Sequence, residues 1–68
     1  MIMTGDEFKQ LRTRLGMTQD ELGQRLGVAR VTVARWEIGL RRVPELAARL
    51  VQHVAKEVKE EQKKRKRT

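Results

Sequence analysis

The chain has 68 residues, no cysteine, a formal net charge of +7 and a sequence pI near 10.9. That length makes one small domain with one core, and the lack of cysteine excludes both a disulfide framework and a thiolate metal site. The charge selects polyanionic partners, and no apolar run approaches the length needed to span a bilayer.

The first helix is expected to start at Thr4, where Thr4 and Glu7 form a capping box and Met3 and Phe8 staple across it. Phe8, Leu11 and Leu15 recur at helical spacing, and Gly16 ends the element. The same grammar repeats at once: Thr18 caps, Glu21 closes the box, and Met17 faces Leu22. Leu22 and Leu26 point inward, and Gly27 ends this second helix because a positive φ is cheap only for glycine. Gly23 is a poor helix former whose bare Cα would let the third helix approach.

The third helix is expected over residues 29–38, with Gly39 as its stop. Ala29, Val33 and Trp36 share one face and Arg30, Val31, Ala34, Arg35 and Ile38 the other, an outer face apolar in its middle and flanked by arginines. A solvated face would carry polar residues there, so it is taken as a contact face. Trp36, on the inner side, is assigned to the core. Arg41 and Arg42 lie in the following loop, and Pro44 opens a fourth helix.

Leu46, Ala47, Leu50, Val51, Val54 and Val58 give the fourth helix a broad apolar stripe. Leu46 and Ala47 are expected to complete the core of one chain, leaving Leu50, Val51, Val54 and Val58 as a homodimer interface. Glu60–Lys64 and Glu61–Arg65 at i, i+4 predict that the helix continues past Val58. Residues 59–68 form a basic tail, partly helical or disordered. Residues 56–68 carry seven Lys/Arg and three Asp/Glu, so more than half of the net charge lies in the last thirteen positions. No β pattern and no internal repeat is present. The fold class is therefore all-α: a four-helix domain over residues 1–58, its centre at residues 18–38, with a long C-terminal helix.

His53 is the single histidine and is assigned to a helix surface. No nucleophile–base–orienter set, carboxylate pair or P-loop is visible, so the chain is expected to be no enzyme, with no cofactor, metal or small-molecule ligand. Two short helices meeting at Gly27, the second with arginines outward, make the pattern of a helix-turn-helix.

The segment LRTRLGMTQDELGQRLGVARVTVARWEIGLRRVP resembles the Cro/lambda-repressor-like, or xenobiotic-response-element, helix-turn-helix family over roughly residues 4–44. The turn glycine, the flanking hydrophobics, the TQxEL start and the RWE end agree with it in spacing. The resemblance implies that Gln19 clamps a backbone phosphate and that Arg30 and Val31 reach base edges. In the family Thr32 matches a position that contacts backbone or base and Arg35 a further base-reading position, whereas Ala34 is assigned to the base contact from its place on the outer face; the resemblance also implies that Arg41 and Arg42 touch phosphates and that Arg12 and Glu37 form an internal ion pair. Ala29 departs from the Ser or Thr that commonly caps the third helix. Val31 departs from a frequent Gln, which removes a bidentate adenine contact and favours a thymine methyl.

These features predict a sequence-specific DNA-binding transcriptional regulator: a cytoplasmic, nucleoid-associated repressor that binds a palindromic operator as a homodimer. The alternatives are a DNA-binding antitoxin or anti-repressor acting through a protein partner, and a basic RNA or non-specific nucleic-acid binder driven by the tail.

Overall fold

The computed structural model describes residues 2–65, with side chains through residue 60. Four helices follow one another: α1 (Gly5–Arg14), α2 (Gln19–Leu26), α3 (Arg30–Glu37) and α4 (Glu45–Arg65). No strand occurs among the described residues, so the fold is all-α as the sequence predicts. The predicted Glu60–Lys64 and Glu61–Arg65 ion pairs rest on side chains outside those described.

Both capping boxes form. The Thr4 hydroxyl accepts from the Glu7 backbone N–H at 3.1 Å, and the Thr18 hydroxyl accepts from that of Glu21, also at 3.1 Å. The Thr18 backbone N–H donates to Glu21 Oε1 at 2.9 Å. That bond, then the hydroxyl of Thr18, holds the Glu21 carboxyl below its ordinary range. Helix α3 lacks this device, since Ala29 at its N-cap makes no side-chain hydrogen bond.

Helices α1, α2 and α3 end alike, each followed by a glycine of positive φ. The next residue then bonds back five positions: Met17 to Arg12, Val28 to Gly23 and Leu40 to Arg35. The residue after each glycine thereby caps carbonyls that the helix leaves open.

Phe8, Leu22, Val33 and Val51, one from each helix, are fully buried. Burying a side chain of that size contributes about 1.5–3 kcal/mol. Trp36 packs edge-on against Phe8 with ring centroids 5.5 Å apart at 77°, so it is a core residue as expected. Helices α1 and α2 each contact both α3 and α4. A Cβ at Gly5 would run into the Trp36 carbonyl, so the start of α1 lies directly on the end of α3.

Helix α4 is turned differently from the expectation. Ala47, Ala48, Val51 and Val54 are buried within the single chain, whereas Leu46 is 68% exposed and Leu50 38% exposed. The assignment of Leu46 to the core, and of Val51 and Val54 to a residual outer stripe, is therefore corrected. Alanines facing inward let α4 approach α1 and α2 closely. The centre of the buried face then falls on Val51, and the leucines at 46 and 50 are carried to its edge. Val58 is half-buried.

Candidate nucleic-acid interface

The turn between α2 and α3 sets the geometry of the site. Gly27 adopts φ 77°, ψ 28°, a conformation that a side chain disfavours. A Cβ on Gly23 would stand 2.8 Å from the Val28 carbonyl oxygen, so the turn backbone rests on the bare Cα of α2. The sequence places the third helix against this bare Cα, and the atoms beneath Gly23 are those of Val28 in the turn and of Ala29 and Arg30 at the start of α3.

With Val33 and Trp36 inside, α3 presents its opposite face outward. Arg30 and Arg35 are exposed, Thr32 and Ala34 are half-buried, and Val31 is 47% and Ile38 75% exposed. The loop adds Arg41 and Arg42, both exposed. Thr32, Arg35, Arg41 and Arg42, with Trp36 and Pro44, line a cleft of about 380 Å³. The sequence treats Arg35 as a base-reading residue and Arg41 and Arg42 as phosphate contacts, and the fold brings all three to one cleft.

Among the described residues, none of Arg30, Arg35, Arg41 and Arg42 pairs with a carboxylate. Three other arginines are engaged: Arg12 with Glu37, Arg49 with Glu45, and Arg25 with Glu57. Four such guanidinium groups lie on and just after α3, where an anion can take bidentate hydrogen bonds from them.

Behind this surface lies the predicted Arg12–Glu37 pair. Arg12 Nε donates to Glu37 Oε2 at 2.6 Å and Nη2 to Oε1 at 3.1 Å, with side-chain exposures of 12% and 2%. Arg12 Nη1 also donates to the Met17 carbonyl at 2.9 Å. Gln19 Nε2 donates to Glu37 Oε1 at 3.1 Å. The residue expected to clamp a phosphate is thus held from behind, with its second amide proton left over. Neither the Gln19–Glu37 bond nor the Gly5–Trp36 packing is signalled by local spacing, since each joins residues far apart in sequence.

His53 lies on the surface, with Nε2 3.0 Å from Glu57 Oε1 on the same helix. Glu57 in turn lies 3.6 Å from Arg25 Nη1, linking α4 to α2 away from the arginine face.

The sequence profile of the helix-turn-helix family matches residues 8–50, most of α1 through the first turns of α4. The chain belongs to the helix-turn-helix family. Its type is the xenobiotic-response-element one, as the motif around Gly27 predicts. This helix-turn-helix chain is also similar to a protein of Methanoregula boonei that carries the provisional name HTH-type transcriptional regulatory protein. The two are 37% identical over 51 residues, which is 75% of this chain and 16% of the relative. The chain therefore spans only about a sixth of that relative's length.

No helix among the described residues is long and apolar enough to cross a membrane.

Proposed function

We propose that this helix-turn-helix protein is a sequence-specific transcriptional regulator that represses by occluding a promoter. It acts in the cytoplasm on nucleoid DNA, without catalysis, cofactor or small-molecule ligand. The observation that carries the reading is the set of four arginines without carboxylate partners, on α3 and the loop after it. In this arrangement α3 enters the major groove with Arg30, Val31 and Arg35 toward base edges. Thr32 and Ala34 flank that contact, and Gln19, Arg41 and Arg42 set the register on phosphates.

The operator is palindromic and the protein binds it as a homodimer. With Val51 and Val54 in the monomer core, the apolar surface for a two-fold contact is Leu46 and Leu50. They border a groove of about 160 Å³ lined also by Leu26, Val28, Trp36, Pro44 and Ala47. The same groove supports the second reading, an antitoxin or anti-repressor that docks a different protein. Co-purification of a stoichiometric partner from the native host would favour that reading.

Selecting bound sites from a random duplex pool tests the function directly. A single enriched motif with two-fold symmetry is expected. Arg30→Ala and Arg35→Ala should weaken binding to that motif more than binding to random duplex, because a bidentate arginine–guanine pair discriminates by about 1–3 kcal/mol. Equal losses on both duplexes would remove these residues from base recognition.

A further inference from the structure

The end of α3 and the start of α2 meet through one buried carboxylate. Glu37 closes α3, and its side chain accepts from Arg12 Nε and Nη2 on α1 and from Gln19 Nε2 on α2. Gln19 is the first residue of α2, half-buried, and makes no other side-chain hydrogen bond among the described residues. Arg12 Nη1 reaches the Met17 carbonyl, just before the Thr18 cap. The same network therefore holds the backbone that leads into α2 and the side chain that opens it.

A glutamine amide has two ends of opposite character: Oε1 accepts, and Nε2 donates two protons. A free glutamine samples both presentations, and a phosphate repels the oxygen end. A carboxylate only accepts, so Glu37 binds only the nitrogen end. One Nε2 proton is taken, and the other remains for an incoming acceptor. A bare carboxylate behind a phosphate contact would repel the phosphate. Arg12 neutralises it at 2.6 Å, so Glu37 orients Gln19 without that penalty. We propose that Glu37 is a positioning residue for DNA: acting through Gln19, it fixes the amide with a proton ready for a backbone phosphate before the duplex arrives. This rests on Gln19 meeting a phosphate, as in the function proposed above. It gives the Arg12–Glu37 pair a part in affinity besides its part in stability.

Arg12→Met combined with Glu37→Met removes one charge of each sign, so the net charge stays at +7 and no buried charge is stranded. Such a replacement is often neutral for stability, and circular dichroism checks the fold. Gln19 then has no acceptor. Binding to the selected and the random duplex alike should fall about tenfold for each bound subunit, the cost of ordering one free glutamine side chain on the DNA. In a Gln19→Ala background the same two substitutions should cause no further loss. The proposal is overturned if the double variant binds like the wild type. It is also overturned if the loss is as large in the Gln19→Ala background, as a purely structural pair would give. A second measurement needs no variant and decides the matter if the double variant does not fold. In NMR of the wild-type side-chain amides, one Gln19 Nε2 proton should exchange slowly with water, and the other should shift when the selected duplex is added. Gln19 protons that both exchange as fast as those of the exposed Gln24 would overturn the proposal. Gln19→Ala binding every duplex like the wild type refutes the phosphate contact at Gln19 and the proposal with it. Failure of the wild type to bind any duplex is a different result, and it refutes the DNA-binding reading itself.

Discussion

The Glu37 carboxylate accepts from Arg12 Nε, Arg12 Nη2 and Gln19 Nε2, so its oxygens are satisfied although its side chain is only 2% exposed. Exposed ion pairs contribute about 0–1 kcal/mol, whereas removing one partner of a buried pair costs about 3–5 kcal/mol because the other charge is stranded. Arg12→Ala or Glu37→Ala should each destabilise by roughly that amount. The double variant should cost clearly less than the two losses added, with a coupling of about 0.5–3 kcal/mol. Urea denaturation of the four proteins in the cycle measures this, and additive losses would mean that the two side chains act independently. The pair was legible because the family resemblance carries it. Its extension to Gln19 was not, because residues eighteen positions apart meet only once α2 and α3 have turned back on each other.

At the scale of the helix, the capped ends were the most legible part of the chain. Thr4/Glu7 and Thr18/Glu21 are local patterns whose hydrogen bonds join residues only three positions apart. The apolar stripe of α4 was less legible. Periodicity shows that such a stripe exists, but which part faces inward depends on how closely the helix approaches its neighbours. Ala47 and Ala48 permit a close approach, and that approach carries Leu46 out of the core where the stripe alone places it. Ala29 is the local pattern left unfilled: φ −72°, ψ 152° is suitable for an N-cap, and no side chain bonds there. Ala29→Ser should therefore stabilise the protein by about 1 kcal/mol without disturbing any packed contact, since Ala29 is exposed. A thermal midpoint unchanged or lowered in this variant would show that the start of α3 is already satisfied in another way. Where α3 faces DNA, Ala29→Asp should give a similar gain in stability and a loss of duplex affinity, separating the cap from the charge.

Across the whole molecule, the arginines after α3 and the exposed leucines of α4 each predict a different measurement. Arg41 and Arg42 are exposed beside the cleft at the end of α3, where phosphate contact is sequence-independent. Arg41→Ala should weaken specific and random duplexes alike. It should also flatten the plot of log K against log salt by about two units per dimer, one released counterion from each subunit. An unchanged slope would take Arg41 off the backbone.

Apart from Ile2, Val31 and Ile38, the exposed large apolar residues among those described are Leu46 and Leu50 at the edge of α4, together with Leu40 at 69% exposure in the preceding loop. Side chains of this size exposed around an apolar groove mark a contact surface, and a two-fold contact is the commonest form of self-association. Such a contact would set the two copies of α3 about 34 Å apart, one turn of DNA, so that both enter the same side of the duplex. Replacing Leu46 and Leu50 with Glu should leave a folded monomer with weak operator affinity, because neither leucine is needed to close the core. Val51→Asp is the contrasting variant. It places a charge at a fully buried position and should unfold the chain rather than dissociate it. Sedimentation and circular dichroism separate these outcomes. A wild-type protein that stays monomeric at high concentration and also on its operator would refute the two-fold contact, and the affinity would then have to come from a single α3 and the phosphate-facing arginines around it.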